Sequence, residues 1–474
     1  MNREYIYPTN PHITANRKYQ NTNPNIFEIS RPNCLYSTTM LVFYLYSFFV
    51  FHLIKIFISY IHLNFYFICY IKYYSSLFLC NSLYLWFLIF MYIVLFNLLY
   101  YAGKKLYAKS KYTILVFFYF ILYYIISILF LSEDCLFFIV SFETMLFSIL
   151  VLSMHFIFNN RFIIAMYYLI TFTILSGLGC FLFLFIVLIN INLTGYFLLL
   201  NAITLNNFYT LTLLWYVIYI IFGIKFPIYP FYFWLLAVHV EVSSEMSTML
   251  AGIILKSGFI GIFKFLVVLL SYVTHLFSAV NTIFVIIGVL SCAINLLIIT
   301  DYKKIIGSWS ILHVNVTLMF IWYNNYLLVL LFILSNLGHV LSSSSFFLCI
   351  SFTYENFNNK HIFLISSAFN FNIYSFLFIF LILNNIDFPF FLLFYIELLN
   401  FFAIMFISNY LAFFLIAVVL VLFVSSLLLY FILNYYQYKW NNLYIRTDLS
   451  ISDFSIFFNL IIYSLILFWW VSLF

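Results

Sequence analysis

The stretch FGIKFPIYPFYFWLLAVHVEVSSEMSTMLAGIILKSGFIGIFKF, residues 222–265, decides the fold of this chain. Most of its residues are apolar enough to lie inside a membrane, yet two prolines and several charged side chains interrupt it. Proline removes a hydrogen bond of a helix and lipid supplies no replacement, so the break needs protein or water around it. An ionisable group at the bilayer centre costs about 2.5–3.5 kcal/mol and therefore needs a partner or a water-lined route. We interpret the stretch as the broken, charged centre of a polytopic membrane protein.

The composition of the whole chain supports an all-α polytopic membrane protein. Of its 474 residues, 67% are hydrophobic and 7% are charged, whereas an average soluble domain is about 25% charged. A large soluble helical protein of this composition would have too few charged residues to form a water-facing surface. Apolar runs long enough to cross the bilayer recur from about Leu41 onwards and predict about fourteen spans. The predicted spans lie near residues 39–59, 62–79, 81–101, 113–131, 135–154, 163–190, 209–236, 246–269, 277–299, 303–323, 326–350, a broken pair across 362–407, 410–434 and 455–474.

Several classes of function are unsupported by the sequence. The net charge of +6 is spread over short loops, which does not indicate nucleic-acid binding. The seven cysteines occur singly without a C-x-x-C pair, and the chain has neither G-x-G-x-x-G nor a P-loop. Iron–sulfur, zinc, disulfide and nucleotide sites are therefore not predicted, and any redox chemistry is expected in another chain. The 66 Phe and 42 Tyr residues have AT-rich codons, which suggests an organelle-encoded protein.

The sequence divides into five predicted parts. They are a polar N-terminal extension at 1–36, N-terminal transmembrane helices at 37–112, a first five-helix repeat at 113–270, a second five-helix repeat at 271–435, and a loop with a last transmembrane helix at 436–474. The extension holds four of the seven prolines together with Glu4 and Glu28, unlike an amphipathic, acid-poor targeting segment. Pro227 and Pro389 each fall in the fourth span of a five-span block, which favours two inverted repeats with broken helices.

Loop charges predict the orientation of the chain. The even-numbered loops near 132–134, 191–208, 271–277 and 323–326 contain no Lys or Arg, so the positive-inside rule places the odd-numbered loops on the matrix side. The basic residues of the odd-numbered loops are Lys104, Lys105, Lys109, Lys111, Arg161, Lys303, Lys304, Lys360, Lys439 and Arg446. The N-terminal extension, which also carries basic residues, does not fit this alternation.

Charged and polar residues inside the spans are the candidate functional residues. Glu143 and Glu397 lie mid-span in SFETMLFSIL and FYIELLN, and their short side chains cannot reach water, whereas a lysine near a helix end such as Lys264 can snorkel. Lys225 lies two residues before Pro227, where the first helix break is predicted, and Lys256 lies in LAGIILKSGF.

Helical spacing groups further polar residues into stripes. At 100° per residue, Glu245 and Lys256 fall within about 20° of each other, and Glu241 lies one turn before Glu245, so the three are predicted to share one face of the eighth span. Two more stripes are Lys303, Ser310, His313 and Thr317 on the tenth span, and Ser335, His339, Ser342 and Ser343 on the eleventh. Such stripes either join helices through hydrogen bonds or form a proton relay. Burial disfavours a charged lysine and a nearby carboxylate favours it, while histidine transfers protons near neutral pH, so the pattern predicts a cation or proton translocator.

Five segments, in order along the chain, resemble the family of complex I chain 4 subunits. They are SFETMLF (141–147), WLLAVHVEVSSEMSTMLAGIILKSGFIGIFKF (234–265), TDYKKIIGSWSILHV (300–314), NLGHVLSSSSFFLCISFTYEN (336–356) and FPFFLLFYIELL (388–399). His239 and Glu241 keep the HVE triplet of the family. The sequence departs from the family pattern at Ser243 in place of proline, at Asn356 in place of arginine, and at the extra acid Glu245.

The resemblance implies a proton-translocating subunit of NADH:ubiquinone oxidoreductase in the mitochondrial inner membrane. It implies no cofactor in this chain, with FMN, iron–sulfur clusters, NADH and ubiquinone bound elsewhere in the complex. The implied partners are the antiporter-like chains 2 and 5, accessory subunits and lipids such as cardiolipin. The alternatives are a stand-alone or Mrp-type Na⁺/H⁺ antiporter subunit and a structural subunit that has lost transport.

The resemblance also implies roles for individual residues. Glu143 and Lys225 correspond to a coupled input pair, Lys256 to a central relay, and Glu397 to the exit-side carrier. His313 and His339 correspond to connecting carriers and Lys303 to a residue near the matrix mouth. Apart from the resemblance, the residues expected to support this path are His239, Glu241, Glu245, Pro227, Pro230 and Pro389.

Overall fold

A computed structural model of the protein describes residues 75–106, 112–132, 134–154, 160–191, 208–323, 326–357, 360–362, 372–389 and 391–435. These residues are almost entirely helical. The α-helices are α1 (Ser75–Leu106), α2 (Tyr112–Leu131), α3 (Cys135–Met154), α4 (Asn160–Ile191), α5 (Phe208–Lys225), α6 (Phe233–Glu241), α7 (Ser244–Met249), α8 (Leu255–Gly261), α9 (Ser271–Leu276), α10 (Ser278–Ile298), α11 (Tyr302–Ile321), α12 (Tyr326–Phe357), α13 (Asn372–Asn385), α14 (Leu392–Met405) and α15 (Asn409–Tyr435).

The helices confirm most of the predicted spans that fall on described residues. Six described segments are long and apolar enough to cross a membrane by length and composition, and further apolar helices are shorter. Helix α1 begins at Ser75, inside the predicted second span, so the separation of the second and third spans at residue 80 was wrong. The spans at 39–59 and 455–474, most of the span at 62–79, the extension 1–36 and the loop from 436 lie outside the described residues. The total of fourteen spans therefore stays a prediction.

The charged segments occupy the middle of the helix bundle. In the most apolar window of Ser244–Val268, 94% of residues are buried, and in that of Leu327–Tyr354 the share is 83%. The corresponding share is only 33% in Arg161–Leu188 and in Asn409–Ile432, whose exposed residues are mainly aromatic and aliphatic. An apolar outer surface suits lipid, while polar groups belong in the interior of the bundle, where protein can satisfy them.

The central segment that carries Lys256 is a helix with two wide turns. Helix α7 continues through a π-helical segment, Leu250–Ile254, into α8 and then into a second π-helical segment, Ile262–Leu269. We call residues 244–269 the central rod. Each π turn holds more residues than an α turn, so positions beyond it leave the face that a 100° period assigns to them.

The predicted single stripe of Glu241, Glu245 and Lys256 is wrong. Glu241 ends α6, because Val242 is extended with ψ of 155°, and the side chain of Ser243 caps α7 by accepting a hydrogen bond from the backbone N–H of Met246. Glu241 therefore belongs to a different helix, and a π turn separates Glu245 from Lys256. The predicted stripe assumed one regular helix through all three residues.

Both predicted helix breaks are present and have the same backbone hydrogen-bond pattern. In the first break, Phe226 N donates to Phe222 O, Ile228 N to Gly223 O and Phe231 N to Ile228 O. In the second break, the matching bonds are Ile386 N to Ile382 O, Phe388 N to Leu383 O and Phe391 N to Phe388 O. This register aligns Pro227 with Asp387, and not with Pro389 as the positions of the prolines suggested.

Contacts among loops confirm that several odd-numbered loops share one end of the bundle. Lys360 forms an ion pair with Glu241 at 3.3 Å, and His361 lies 3.1 Å from Asp301, with which it also forms an isolated β-bridge. These residues follow the predicted seventh, ninth and eleventh spans. An even number of crossings separates the three loops, so their contact agrees with the alternation of loop charge.

Candidate functional site

Glu143 and Lys225 form the predicted ion pair inside the bundle. Glu143 Oε1 lies 3.5 Å from Lys225 Nζ, which confirms that the two opposite charges share one site. The Lys225 ammonium also donates to the backbone carbonyl of Phe142 at 2.8 Å and lies 3.3 Å from the centroid of the Phe142 ring. Lys225 is the last residue of α5, so the helix break lets its side chain turn towards α3.

A glycine makes room for the carboxylate of this pair. A Cβ atom on Gly177 of α4 would lie 2.8 Å from Glu143 Oε2, closer than side chains tolerate. On the other side of Lys225 is a small cavity of about 10 Å³, lined in part by Thr173, Trp234 and Ser257. That volume fits one water molecule. The pair is thus held tightly on one side and has space for one water on the other, towards the central rod.

Lys256 lies at the centre of the bundle and bonds to α12. Its Nζ donates to Asn336 Oδ1 at 3.2 Å and lies 3.1 Å from His339 Nδ1. A charged ammonium only donates, so while Lys256 is protonated His339 Nδ1 accepts and the ring proton resides on Nε2. Neither partner carries a negative charge, which distinguishes Lys256 from Lys225. Sequence reasoning did not identify Asn336, although it lies one turn before His339 in a polar segment.

His313 and Glu397 extend the series of buried polar residues beyond Lys256. We call this series the buried line; its members are Glu143, Lys225, Lys256, His339, His313 and Glu397. The rings of His313 and His339 have centroids 6.2 Å apart, and His313 Nδ1 lies 3.6 Å from Glu397 Oε1. A cavity of about 10 Å³, enough for one water, is lined by both histidines, Glu397, Thr317 and Asn400 among others. The structure thus brings together the central relay, connecting and exit-side residues, which lie on four different helices.

Asp387 is a buried acid that sequence reasoning missed. It lies in the second break with φ of 60°, and the potential ligand atoms of His313, Asp387 and Glu397 all lie within 4.8 Å of one another. At that distance two carboxylates repel each other by about 3–4 kcal/mol at an effective dielectric constant of about 20. Asp387 and Glu397 also line a larger cavity of about 290 Å³. An acid in the apolar run IDFPFF was the available signal, but the proline beside it was interpreted as a break alone.

Among the residues that the structure describes, these three side chains are the one group of His, Cys, Asp or Glu whose nitrogen and carboxylate atoms converge in this way.

The predicted supporting residues divide into two groups. Lys303 and His239 are buried near the end of the bundle that carries Glu241: Lys303 donates to the carbonyl of Val242 at 2.9 Å, and His239 stacks on Phe347 at 4.7 Å. Both ring nitrogens of His239 lack a hydrogen-bond partner among the described residues. Glu241 instead pairs with Lys360 in a loop, and Glu245 is buried beside the hydroxyl of Ser244 at 3.5 Å. Glu241 is therefore not part of the buried line.

The first break is stabilised by side chains that bond to its free backbone groups. Trp234 Nε1 donates to the carbonyl of Ile224 at 3.0 Å, and Asn315 Nδ2 donates to the carbonyl of Pro227 at 3.3 Å. The Tyr229–Pro230 peptide is cis. Protein thus supplies the partners that a proline break needs inside a membrane. Pro389 lies in the second break, two residues after Asp387.

Hydroxyl groups of the two predicted stripes bond within their own helices. Each donates to a carbonyl one turn back, as found for Ser310, Thr317, Ser335, Ser342 and Ser343. Their donors are therefore not used to link helices, so these hydrogen bonds give no support to the alternative in which the Ser and Thr positions join helices. Lys264 does not snorkel: it is buried and donates to the carbonyls of Phe130 and Ser132 at the end of α2.

A helical bundle with two broken segments and a buried line of Glu, Lys and His residues is an arrangement typical of ion-translocating membrane proteins. Residues 132–431 match the family described as NADH:quinone oxidoreductase/Mrp antiporter, TM, and the chain belongs to that family.

Individual relatives and structures agree with this assignment. NADH-ubiquinone oxidoreductase chain 4 of Acanthamoeba castellanii is 29% identical over 276 residues, which cover 58% of this chain and 54% of the relative. The same chain of Marchantia polymorpha is 28% identical over 264 residues, covering 55% and 52%. NADH-quinone oxidoreductase subunit M of Rickettsia felis is 33% identical over 154 residues, covering 32% and 31%. The chain thus matches about half of the length of its chain 4 relatives or less.

The fold is shared with solved respiratory complexes. A chain in the structure titled respiratory complex I from Thermus thermophilus with bound NADH superposes with a TM-score of 0.72 at 17% identity, covering 81% of this chain and 80% of that one. A chain of the membrane-bound sulfane sulfur reductase, an archaeal respiratory membrane complex, superposes with a TM-score of 0.71 at 16% identity, covering 81% and 64%. At these identities the likeness concerns the fold alone.

Proposed function

We propose that the chain is a proton-translocating subunit of respiratory complex I, of the chain 4 type, in the mitochondrial inner membrane. The observation that carries the proposal is the buried line formed by the Glu143–Lys225 pair, the Lys256–His339 contact and the His313–Glu397 pair. Buried ionisable groups in a membrane are costly and mark ion or proton pathways. Relatives that are NADH-ubiquinone oxidoreductase chain 4 support the same function.

The proton path follows from the contacts along this line. Glu143, 3.5 Å away, favours the charged form of Lys225, and withdrawal of the carboxylate favours loss of the proton from the buried ammonium. The one-water cavity beside Lys225 and Ser257 leads this proton towards the central rod. Lys256 passes it to His339, and the second one-water cavity connects the histidines to Glu397. In this path, His239 and Lys303 deliver protons to the buried line from the matrix end of the bundle.

Energy and partners come from the rest of the complex. In this proposal FMN, iron–sulfur clusters, NADH and ubiquinone act in other subunits, and this chain takes part in NADH:ubiquinone reductase activity without a redox centre of its own. The antiporter-like chains 2 and 5 flank it, with accessory subunits and lipids such as cardiolipin around it. The matching hydrogen-bond patterns of the two breaks support two inverted five-helix repeats, at 113–270 and 271–435.

Substitution of Lys256 tests the proposed function. In the purified parent complex, reconstituted in proteoliposomes, Lys256→Met should abolish most of the protons moved through this subunit and lower the proton-to-electron ratio. Lys304→Met is the matched control, because Lys304 is exposed and pairs with Asp301 at 3.7 Å outside the line. An assembled Lys256→Met complex that pumps like the control would contradict the proposal.

A Na⁺/H⁺ antiporter subunit is the second candidate, because the matching family includes Mrp antiporters. Co-purification separates the two functions. The complex I subunit should purify with NADH-oxidising activity, whereas an antiporter should purify without it and should acidify or alkalinise vesicles in response to a Na⁺ gradient.

A further inference from the structure

Asp387 lies where an unpaired charge is hard to maintain. The residue is 6% exposed, and neither carboxylate oxygen accepts a hydrogen bond from a residue that the structure describes. The residue stands in the second break between α13 and α14, directly beside the site of Glu397. A buried polar group without a partner is costly, so this position requires either an explanation or a ligand.

The surroundings of Asp387 supply negative charge and little positive charge. Glu397 comes from α14 and His313 from α11, and both have atoms within 4.8 Å of the Asp387 carboxylate. Helix α12 contributes His339 behind His313, and Lys256 on the central rod is bonded to His339. Helix α15 presents only aliphatic residues to the cavity, such as Leu415 and Leu422. The described residues that line the two cavities beside the acids include no lysine or arginine.

Two carboxylates so close together in an apolar site cannot both be ionised, and such pairs share a proton. We propose that Asp387 and Glu397 together hold one proton, so that Asp387 is a second proton-binding carboxyl at the exit end of the path. The inference rests on the proposed function, in which Glu397 is the exit-side carrier. It adds a site that the sequence comparison with chain 4 did not assign.

The geometry gives the two acids different positions in the transfer. Glu397 contacts His313 and lines the small cavity shared with both histidines, whereas Asp387 lines the larger cavity of about 290 Å³ and is not among the residues that line the small one. A proton that arrives from His313 binds at Glu397 while the shared proton moves to Asp387. One proton then leaves Asp387 for the larger cavity, and the pair again holds one proton. No electron transfer and no other reactant are involved.

The left-handed backbone of Asp387 allows a test that keeps the fold. Asn and Gly adopt a positive φ as readily as Asp does, so Asp387→Asn and Asp387→Gly both suit φ of 60°. Asn keeps the shape of the side chain but cannot bind a proton, and Gly removes the side chain altogether. A role confined to the backbone turn would survive both substitutions.

Infrared spectroscopy of the full chain in lipid nanodiscs at pH 7 measures the shared proton directly. The unaltered chain should show the C=O stretching band of a protonated carboxyl group, and both Asp387→Asn and Asp387→Gly should lose it. Glu241→Gln is the matched control and should keep the band, because Glu241 is paired with Lys360. Circular dichroism confirms that the variants retain their helices.

Two results would overturn the inference. One is a protonated carboxyl band that persists unchanged in Asp387→Asn. The other is a band that appears only after EDTA treatment or removal of Na⁺, which would mean that a cation occupies the site. The proposed function fails in a different experiment, namely if an assembled Glu397→Gln complex pumps normally, so the two failures are distinguishable.

Discussion

Glu143→Ala should destabilise the protein more than the double substitution Glu143→Ala with Lys225→Met. The single substitution leaves the Lys225 ammonium in an apolar site with only the carbonyl and ring of Phe142 as partners. The double substitution removes both charges and fills the lysine site with an apolar side chain of similar length. Breaking a buried pair is strongly unfavourable, whereas replacing a whole pair by apolar groups is often neutral.

The distance between the two charges sets the size of the effect. At 3.5 Å and an effective dielectric constant of about 20, the attraction is about 4–5 kcal/mol. The side chain of Glu143 is 26% exposed, so solvent screens part of this attraction. We therefore expect Glu143→Ala to cost about 3 kcal/mol, the lower end of the range for a stranded buried charge. The double variant should recover about 2 kcal/mol of that loss, with the cavity left by the truncated side chain accounting for the rest.

The assay follows the unfolding of the full chain in mixed micelles. SDS is added stepwise, and the loss of the helical signal is measured at each SDS concentration. Pumping by the parent complex is measured in parallel and should be lost in both variants, because neither has a lysine that can alternate with a nearby acid. Glu143→Asp keeps the charge and should retain much of the pumping. A double variant that is less stable than Glu143→Ala would refute the reasoning, since it would mean that Lys225 contributes favourably without Glu143.

The remaining predictions concern the exit residue, a close helix contact and the orientation. Glu397→Gln keeps shape and hydrogen bonding but cannot carry a proton, so proton pumping in proteoliposomes should fall several-fold while the assembled complex persists; unchanged pumping would make Glu397 structural only. Gly258→Ala should destabilise the chain by about 1–2 kcal/mol in the SDS titration, since its Cβ would lie 2.6 Å from the backbone nitrogen of Phe226 and overpacking outweighs the helix propensity of alanine. Gly252→Ala in the same rod is the control, because the nearest atom would be at an ordinary 3.4 Å; equal effects would contradict the steric argument. Protease added to inside-out vesicles should cleave the loop at Lys104–Lys111, and cleavage from the opposite side would reverse the orientation.

Helix positions and buried charge pairs were predictable because each follows from a local property of the sequence. A membrane span needs only length and apolarity, so α3 was predicted at residues 135–154, as the structure has it. The pairing of Glu143 with Lys225 followed from the cost of leaving either charge alone in lipid. His313 and His339 were predicted separately on two helices, and the tertiary packing brings them together.

The missed features depend on geometry that periodicity does not contain. The predicted stripe from Glu241 to Lys256 assumed a uniform helix, and neither the extended Val242 nor the π turns leave a clear pattern in the sequence. One of the two partners of Lys256 proved to be Asn336, a neutral residue on another helix that was not among the predicted residues. Asp387 was overlooked because its significance depends on its distance from Glu397 across the break, which only the folded chain defines.

The two wide turns of the central rod give its three acidic and basic positions separate directions. Lys256 stands on α8, a short α-helical piece between the π-helical segments, while Glu245 lies before the first of these segments and Lys264 within the second. The direction of each side chain is therefore set by its own piece of helix. Because each wide turn holds more residues than an α turn, it changes which positions of the sequence share a face of the rod. In this rod, the direction in which a charged side chain points is therefore independent of the length with which the helix spans the membrane.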